Sequence, residues 1–250
     1  MGRNSDEILA ILFDFDGTIR HSRPRGIDIF HKLAYELGVS FTDEVKIEAE
    51  RWTHKYFAMS DEMKDDVLAT GGSLSDGFWL KYTSRHLEFL GAPQDYLEEL
   101  ALILSEKMEM VYQPEDYISE DVIPTLKILR GTGYPIGLVS NRSRPITALL
   151  EALGLADLFQ FTLTAGELGT WKPDPGIFLH AIDLLGIPPN KTVYIGDNYY
   201  ADVLGSRAAG LIPVLFDPIG IYPSPGCATI HSIGDLQILF RSTEPLQPDP

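Results

Sequence analysis

Residues 8–18 read ILAILFDFDGT. Six apolar residues, Ile8 to Phe13, run without a polar break and stop at Asp14. An unbroken run of this length suits a strand covered on both faces, the position of a strand inside a parallel sheet. In an open parallel sheet the ligand lies beyond the carboxyl ends of the strands, so Asp14 and Asp16 fall where a ligand is expected. If strand geometry persists past Phe13, alternation points both carboxylates the same way. Carboxylates a few ångströms apart repel unless a cation neutralises them, and Mg2+, which prefers oxygen ligands, is the natural candidate. Gly17 permits a sharp turn. The plain alternative is a solvated strand end and turn, and this stretch alone does not choose between them.

Four more strand candidates follow in the second half: Pro135–Ser140, Phe159–Thr164, Thr192–Ile195 and Ile212–Leu215. Helical segments alternate with them, at Val122–Arg130, Pro145–Leu153, Gly176–Leu185 and Ala201–Ala209. That alternation predicts right-handed crossovers and an α/β fold, a Rossmann-like doubly wound parallel sheet. Residues from about Arg25 to Val111 break the pattern and read as helical throughout. Ile27, Phe30, Ala34 and Leu37 share one helical face, and Leu97, Leu100, Leu104, Met108 and Val111 share another. Between them lie Asp43–Met59 and Asp76–Leu90, separated by Thr70-Gly71-Gly72-Ser73. The expected organisation is a core of residues 1–22 and 112–250 interrupted by a four-helix insertion, residues 23–111. The Pro-rich end, Ser242–Pro250, is expected to fray.

Composition narrows the function. Of 250 residues, 44% are hydrophobic and 22% charged, a globular balance. Twenty Lys and Arg against 36 Asp and Glu leave a net charge of −16. Such a surface repels nucleic acid and anionic lipid but not a small anion held in a locally positive pocket. The single cysteine, Cys227, rules out an internal disulfide framework and a cysteine-cluster zinc site. No run is long enough to span a bilayer. The N-terminus lacks a secretory signal, and Asp6 spoils a myristoylation site at Gly2. The expected address is cytoplasmic, as a monomer or homodimer.

Polar groups recur at the other strand ends. Ser140-Asn141 closes the second core strand, where a hydroxyl and a backbone N–H would suit a phosphate oxygen; a helix cap is the alternative. Lys172 follows the third strand between Trp171 and Pro173, which makes it a held rather than a free lysine. The fourth strand ends in GDNYYAD, residues 196–202, with Asp197 and Asp202; acids at a helix start are the alternative. Four strand ends with complementary polar groups are hard to assign to capping alone.

DFDGT (14–18), SN (140–141), Lys172 of WKPDP and GDNYYAD (196–202) resemble the four motifs of the haloacid dehalogenase superfamily in residue type, order and spacing. The helical insertion resembles that superfamily's cap domain of the C1 type. The resemblance spans residues 8–240 and implies a roster of roles. Asp14 would be the nucleophile and become an aspartyl phosphate. Asp16 would protonate the leaving oxygen and then deprotonate the attacking water. Mg2+ would be held by Asp14, the Asp16 carbonyl and Asp197, with Asp202 in support. Ser140 and the Asn141 N–H would bind the phosphoryl group, and Lys172 would steady Asp14. Four carboxylates then face one lysine and one divalent ion, one positive charge short of balance. Unneutralised, like charges in a partly dry cleft repel by on the order of 4 kcal/mol per close pair. Metal and lysine are therefore requirements for binding as well as for chemistry. The implied activity is Mg2+-dependent hydrolysis of a small phosphorylated metabolite.

The acid at position 16 argues against a dehalogenase, which carries an aromatic there. A phosphonatase would need a distinctive cap lysine, and none of Lys32, Lys46, Lys55, Lys64 and Lys81 stands apart. A phosphomutase or a non-catalytic regulatory protein on the same fold are the alternatives. Arg20, Arg23 and Arg25 beside His21 would either attract a phosphorylated substrate or balance local acids. Asp121 stands where many relatives carry glycine. Tyr199 and Tyr200 are expected to pack the strand–helix turn. The aromatics Trp52, Tyr56, Phe57, Phe78, Trp79 and Tyr82 mix core and cleft candidates.

Overall fold

The computed structural model describes residues 8–241; Gly2, Asp6 and the Ser242–Pro250 segment lie outside them. The strands are β1 (Ala10–Phe13), β2 (His21–Arg23), β3 (Glu115–Tyr117), β4 (Ile136–Ser140), β5 (Phe161–Thr164), β6 (Thr192–Gly196), β7 (Ile212–Phe216) and β8 (Ala228–Ile230). The helices are α1 (Gly26–Glu36), α2 (Asp43–Phe57), α3 (Asp61–Ala69), α4 (Asp76–Phe89), α5 (Leu97–Val111), α6 (Val122–Gly131), α7 (Thr147–Ala152), α8 (Ala165–Leu168), α9 (Pro175–Leu185), α10 (Gly205–Ala208) and α11 (Leu236–Arg241). The chain divides into two compact units, one up to Arg20 and from Ile118 onward, the other His21–Tyr117.

In the first unit six strands form a sheet in the order β5-β4-β1-β6-β7-β8, all neighbours parallel. This is the Rossmann-like α/β core. The apolar runs explain it, because each central strand feeds both faces of the sheet. Ile11, Phe13, Leu138, Val193 and Ile195 pack on one side with Val122, Leu126 and Leu129 of α6. Leu12, Val139 and Tyr194 pack on the other with Ile177, Phe178 and Ala181 of α9. Each such buried side chain is worth about 1.5–3 kcal/mol over its exposed state. β1 lies between β4 and β6, where the chain reverses its direction of travel across the sheet. A crevice opens at such a reversal, and Asp14 stands there.

In this unit three sequence expectations need correction. The sheet has a sixth strand, β8, paired to β7 from Val214↔Ala228 to Phe216↔Ile230; three residues at a sheet edge carry too little pattern to be read. The stretch Ala201–Ala209 is not one helix: Tyr199–Leu204 forms a π-helical turn and α10 follows. The segment at Pro145–Leu153 begins its helix only at Thr147.

The second unit holds five α-helices rather than four. The added one, α3, starts at Ser60, whose side chain accepts from Met63 N. Thr42 and Ser75 cap α2 and α4 in the same way, satisfying an N–H that the first helical turn leaves open. Phe30, Leu33, Ala34, Ala49, Leu87, Leu97, Ala101 and Leu104 make its core. β2 and β3 pair antiparallel, His21 opposite Tyr117, an element the helical reading did not include.

Candidate active site

The three central strand ends and the segment after β5 bring their polar residues together within the first unit. The Asp14 N–H donates to the Ile195 carbonyl (2.8 Å), which extends β1 along β6 by one residue. Asp14 is buried, as are Ser140, Lys172 and Asp202. Lys172 Nζ lies 2.5 Å from Asp14 Oδ1 and 2.7 Å from Asp202 Oδ1. It also donates to the Tyr194 hydroxyl at 3.0 Å. The Tyr194 hydroxyl oxygen in turn lies 3.1 Å from the Val139 carbonyl and 3.3 Å from Asp202 Oδ1, either of which can accept its hydrogen. All three donors of the ammonium are thus used, and this lysine is held rather than solvated.

Asp202 reaches back into the site because of the π-helical turn. Asn198 Oδ1 accepts from Tyr200 N and Ala201 N, and Asn198 N donates to Asp202 Oδ2 at 2.9 Å. Gly196 is required for the same approach, since a Cβ there would overlap the Asp202 carboxylate. Asp197 accepts from Thr18 Oγ1 at 3.0 Å. Gly17 turns the chain with φ of 90°, and a Cβ there would overlap the Asp197 carboxylate.

Electrostatics follow from the count of charges. Burial raises the Asp14 carboxyl to about 7; Lys172 opposes that rise and Asp202 adds to it. Asp197 keeps part of its surface in solvent, yet enclosure of its carboxyl, then Asp14 and Asp202, push it well above the usual range. Burial by itself would lower Lys172, but Asp14 and Asp202 outweigh it and hold the ammonium charged. One lysine cannot serve three enclosed acids. Asp14, Asp197 and Asp202 each offer a carboxylate oxygen within 4.8 Å of the others. An all-oxygen set of mutually repelling carboxylates, which a positive ion would relieve of the protons they now favour, fits a hard divalent cation.

Asp16 does not join this cluster. Its carboxylate takes a two-pronged contact from Arg142, Nε to Oδ2 at 2.6 Å and Nη2 to Oδ1 at 2.8 Å. Arg20 Nη1 adds a third donor to Oδ1 at 3.2 Å. Asn141 has a use its motif did not disclose. Its side chain accepts from Lys172 N at 2.7 Å and donates to Lys172 O at 3.0 Å, clamping the lysine's backbone. Ser140 Oγ accepts from Arg142 N at 3.3 Å.

Sequence reasoning passed over Tyr194 and Arg142. Tyr194 sits inside a strand and reads as one more apolar position. Arg142 follows Ser140-Asn141, but an arginine in a loop is ordinarily a surface charge, and its partner is 126 positions away. The arginine group after Gly17 disperses. Arg20 turns to Asp16, Arg23 covers the Tyr117 ring at 3.7 Å, and Arg25 pairs with Glu50. Lys32, Lys46 and Lys64 pair with acids one turn away on their helices. Tyr199 stacks on Tyr222. Asp121 starts α6 without capping it and accepts instead from Gly234 N at 2.7 Å.

This fold, with acids and a lysine gathered at its strand ends, defines an α/β protein with a candidate active site at the sheet reversal. The family model for haloacid dehalogenase-like hydrolases matches residues 8–210. A ribulose-1,5-bisphosphate 5-phosphatase from Halopiger xanaduensis is 33% identical over 214 residues, covering 84% of each chain. A glyceraldehyde 3-phosphate phosphatase from Methanopyrus kandleri is 38% identical over 212 residues, covering 83% of each. Among solved structures, a HAD phosphatase from Thermococcus onnurineus aligns with a TM-score of 0.53 and 27% identity over 93% of this chain and 97% of that one. The chain belongs to the haloacid dehalogenase-like hydrolase family.

Proposed function

We propose that this chain is a Mg2+-dependent phosphatase that hydrolyses a small phosphomonoester through an aspartyl phosphate on Asp14. The observation that carries the reading is a buried carboxylate at the sheet reversal, bonded to a buried lysine and flanked by two further acids. Its relatives named above are phosphatases. Asp14 attacks phosphorus, the new O–P bond forms, and the ester P–O bond breaks. Asp16 supplies the proton to the departing oxygen. Asp16 then takes a proton from the water that attacks the same phosphorus, which frees Asp14 and inorganic phosphate. Dividing one hard displacement into two easier ones is the gain of covalent catalysis.

Ser140 and the Asn141 N–H bind the phosphoryl oxygens. Lys172 neutralises charge that builds on Asp14 and the transferring group. Asp14, Asp197 and the Asp16 carbonyl, with Asp202 in support, would hold Mg2+, which supplies charge neutralisation on the phosphoryl oxygens. The same reading assigns residues 23–111 to a cap domain inserted in the core. Among the described residues no helix is long and apolar enough to cross a membrane.

The test is phosphate release from 4-nitrophenyl phosphate and from a panel of phosphorylated metabolites, with Mg2+ and with EDTA. Release that EDTA abolishes is expected. Asp14→Asn should cut kcat by on the order of a thousandfold or more with its circular dichroism spectrum preserved. Equal rates for the two proteins would refute the assignment of Asp14.

A further inference from the structure

Tyr194 enters none of the steps above, yet its hydroxyl is fitted to the lysine. Both side chains are buried. An ammonium has no acceptor site, so the phenol oxygen accepts from Lys172 Nζ at 3.0 Å, and its own hydrogen goes to the Val139 carbonyl or Asp202 Oδ1. Tyr194 stands on β6 opposite Leu12 of β1, and Val139 stands on β4, on the far side of β1. The phenol thus reaches over the central strand, from the strand that leads to Asp197 to the carbonyl just before Ser140. Phe178 of α9 meets its ring edge-on, with centroids 4.8 Å apart and planes at 80°, which fixes where the hydroxyl can lie.

Lysine carries its charge on a flexible four-carbon stem. Bonds to Asp14 and Asp202 alone leave the ammonium able to turn about the line joining those two oxygens. A third contact in another direction removes that freedom. The same ammonium holds Asp14 Oδ1 at 2.5 Å, so its position sets the plane of the attacking carboxylate. Asp14 gives up its carboxylate charge when it forms the aspartyl phosphate, which weakens its pull on the lysine. The neutral phenol is unchanged by that step and keeps its grip. A misplacement of about 1 Å can cost on the order of a hundredfold in rate.

We propose that Tyr194 is a positioning residue: its hydroxyl acts through Lys172, fixing the ammonium so that Asp14 keeps its orientation through both displacements. It touches no substrate and moves no proton of the reaction. The inference rests on the phosphatase reading and adds to that site a residue that directs the lysine.

The full chain with Mg2+ and 4-nitrophenyl phosphate tests this. Tyr194→Phe keeps the ring against Phe178 and removes only the hydroxyl. It should lower kcat about tenfold or more while KM stays within about twofold, because the groups that bind the phosphoryl oxygens remain in place. The second measurement is the proton–nitrogen correlation spectrum of the Lys172 ammonium, identified as the signal missing from Lys172→Gln. In the wild type that signal should be resolved and slow to exchange with water; in Tyr194→Phe it should broaden or vanish. A wild-type ammonium that exchanges as fast as the surface lysines overturns the proposal whatever the variants do. A variant that fails to fold, or that loses Tm but keeps its kcat, marks the hydroxyl as a fold contact only and also overturns it. A loss carried by KM, or a fall in kcat with the ammonium signal unaltered, does the same. Absence of phosphate release by the wild type is the separate failure of the phosphatase reading, and the ammonium spectrum can be read in that case too.

Discussion

The helical unit should be acid-labile through one buried imidazole pair. His86 of α4 is fully enclosed and His31 of α1 nearly so. Their Nε2 atoms lie 3.1 Å apart, and His86 Nδ1 lies 3.2 Å from the Tyr82 hydroxyl. The His86 ring stacks on Phe30 at 4.1 Å. Facing Nε2 atoms require that one donate and one accept, so the pair needs a neutral imidazole. Burial, then the neighbouring His31, holds His86 at about 3. Burial holds His31 at about 4, with Asp28 opposing. In the unfolded chain both titrate near the ordinary value of about 6.5. Between that value and the folded ones the unfolded chain binds more protons, so stability is full above about pH 7 and falls as the pH drops. From pH 7 to pH 5 the loss through His86 is about 2 kcal/mol, and His31 adds a nearly equal loss of the same sign. Against a usual total of roughly 5–15 kcal/mol this is readily measured. Urea unfolding followed by far-ultraviolet circular dichroism at pH 7, 6 and 5 gives the slope. His86→Phe keeps the stack on Phe30 but removes the titration. It should be less stable at pH 7, yet lose about 2 kcal/mol less than the wild type between pH 7 and pH 5. An equal loss in the two proteins would show that this pair does not govern the acid response.

The core unit should respond in the opposite direction when stripped of metal. Asp14 and Asp197 bind protons more readily folded than unfolded, so their contribution is full below the unfolded value of about 3.9; that of Asp14 is lost as the pH rises through about 7, and that of Asp197 is lost in the same direction. Mg2+ should then raise Tm more at pH 8 than at pH 5.5; a shift independent of pH would contradict the raised carboxyls. Gly17→Ala places a Cβ into the Asp197 carboxylate at a positive φ, a change expected to cost about 1–3 kcal/mol of stability. It should also weaken activation by Mg2+ by tenfold or more, on the order of 1.4 kcal/mol; a metal titration matching that of the wild type would refute the close approach.

Much of this was legible before any fold was known, and particular residues show where legibility stops. The apolar run ending at Asp14 identifies a buried parallel strand, because burial on both faces demands unbroken apolar residues. The acids and lysine at later strand ends mark the crevice for the same reason. α3 was open to reading as well, since Ser60 followed by Met63 N is an ordinary cap, but its mixed polarity hid it. β8 and the β2–β3 pair were not open to it. Strands of three residues have no period to detect, and only a partner strand makes them strands.

What the amino-acid order determines alone is local: the period of apolar residues, the turns at glycine, and the polar types that end each strand. These suffice for the α/β core, for the insertion, and for singling out Asp14, Lys172, Asp197 and Asp202, which the structure brings together. The tertiary structure decides pairing and protonation. Lys172 meets Asp14 across 158 positions, Asn141 clamps the lysine rather than standing beside it, and Arg142 finds Asp16. Charge interactions depend on distance through space and on the removal of water, and neither quantity exists until the chain has folded.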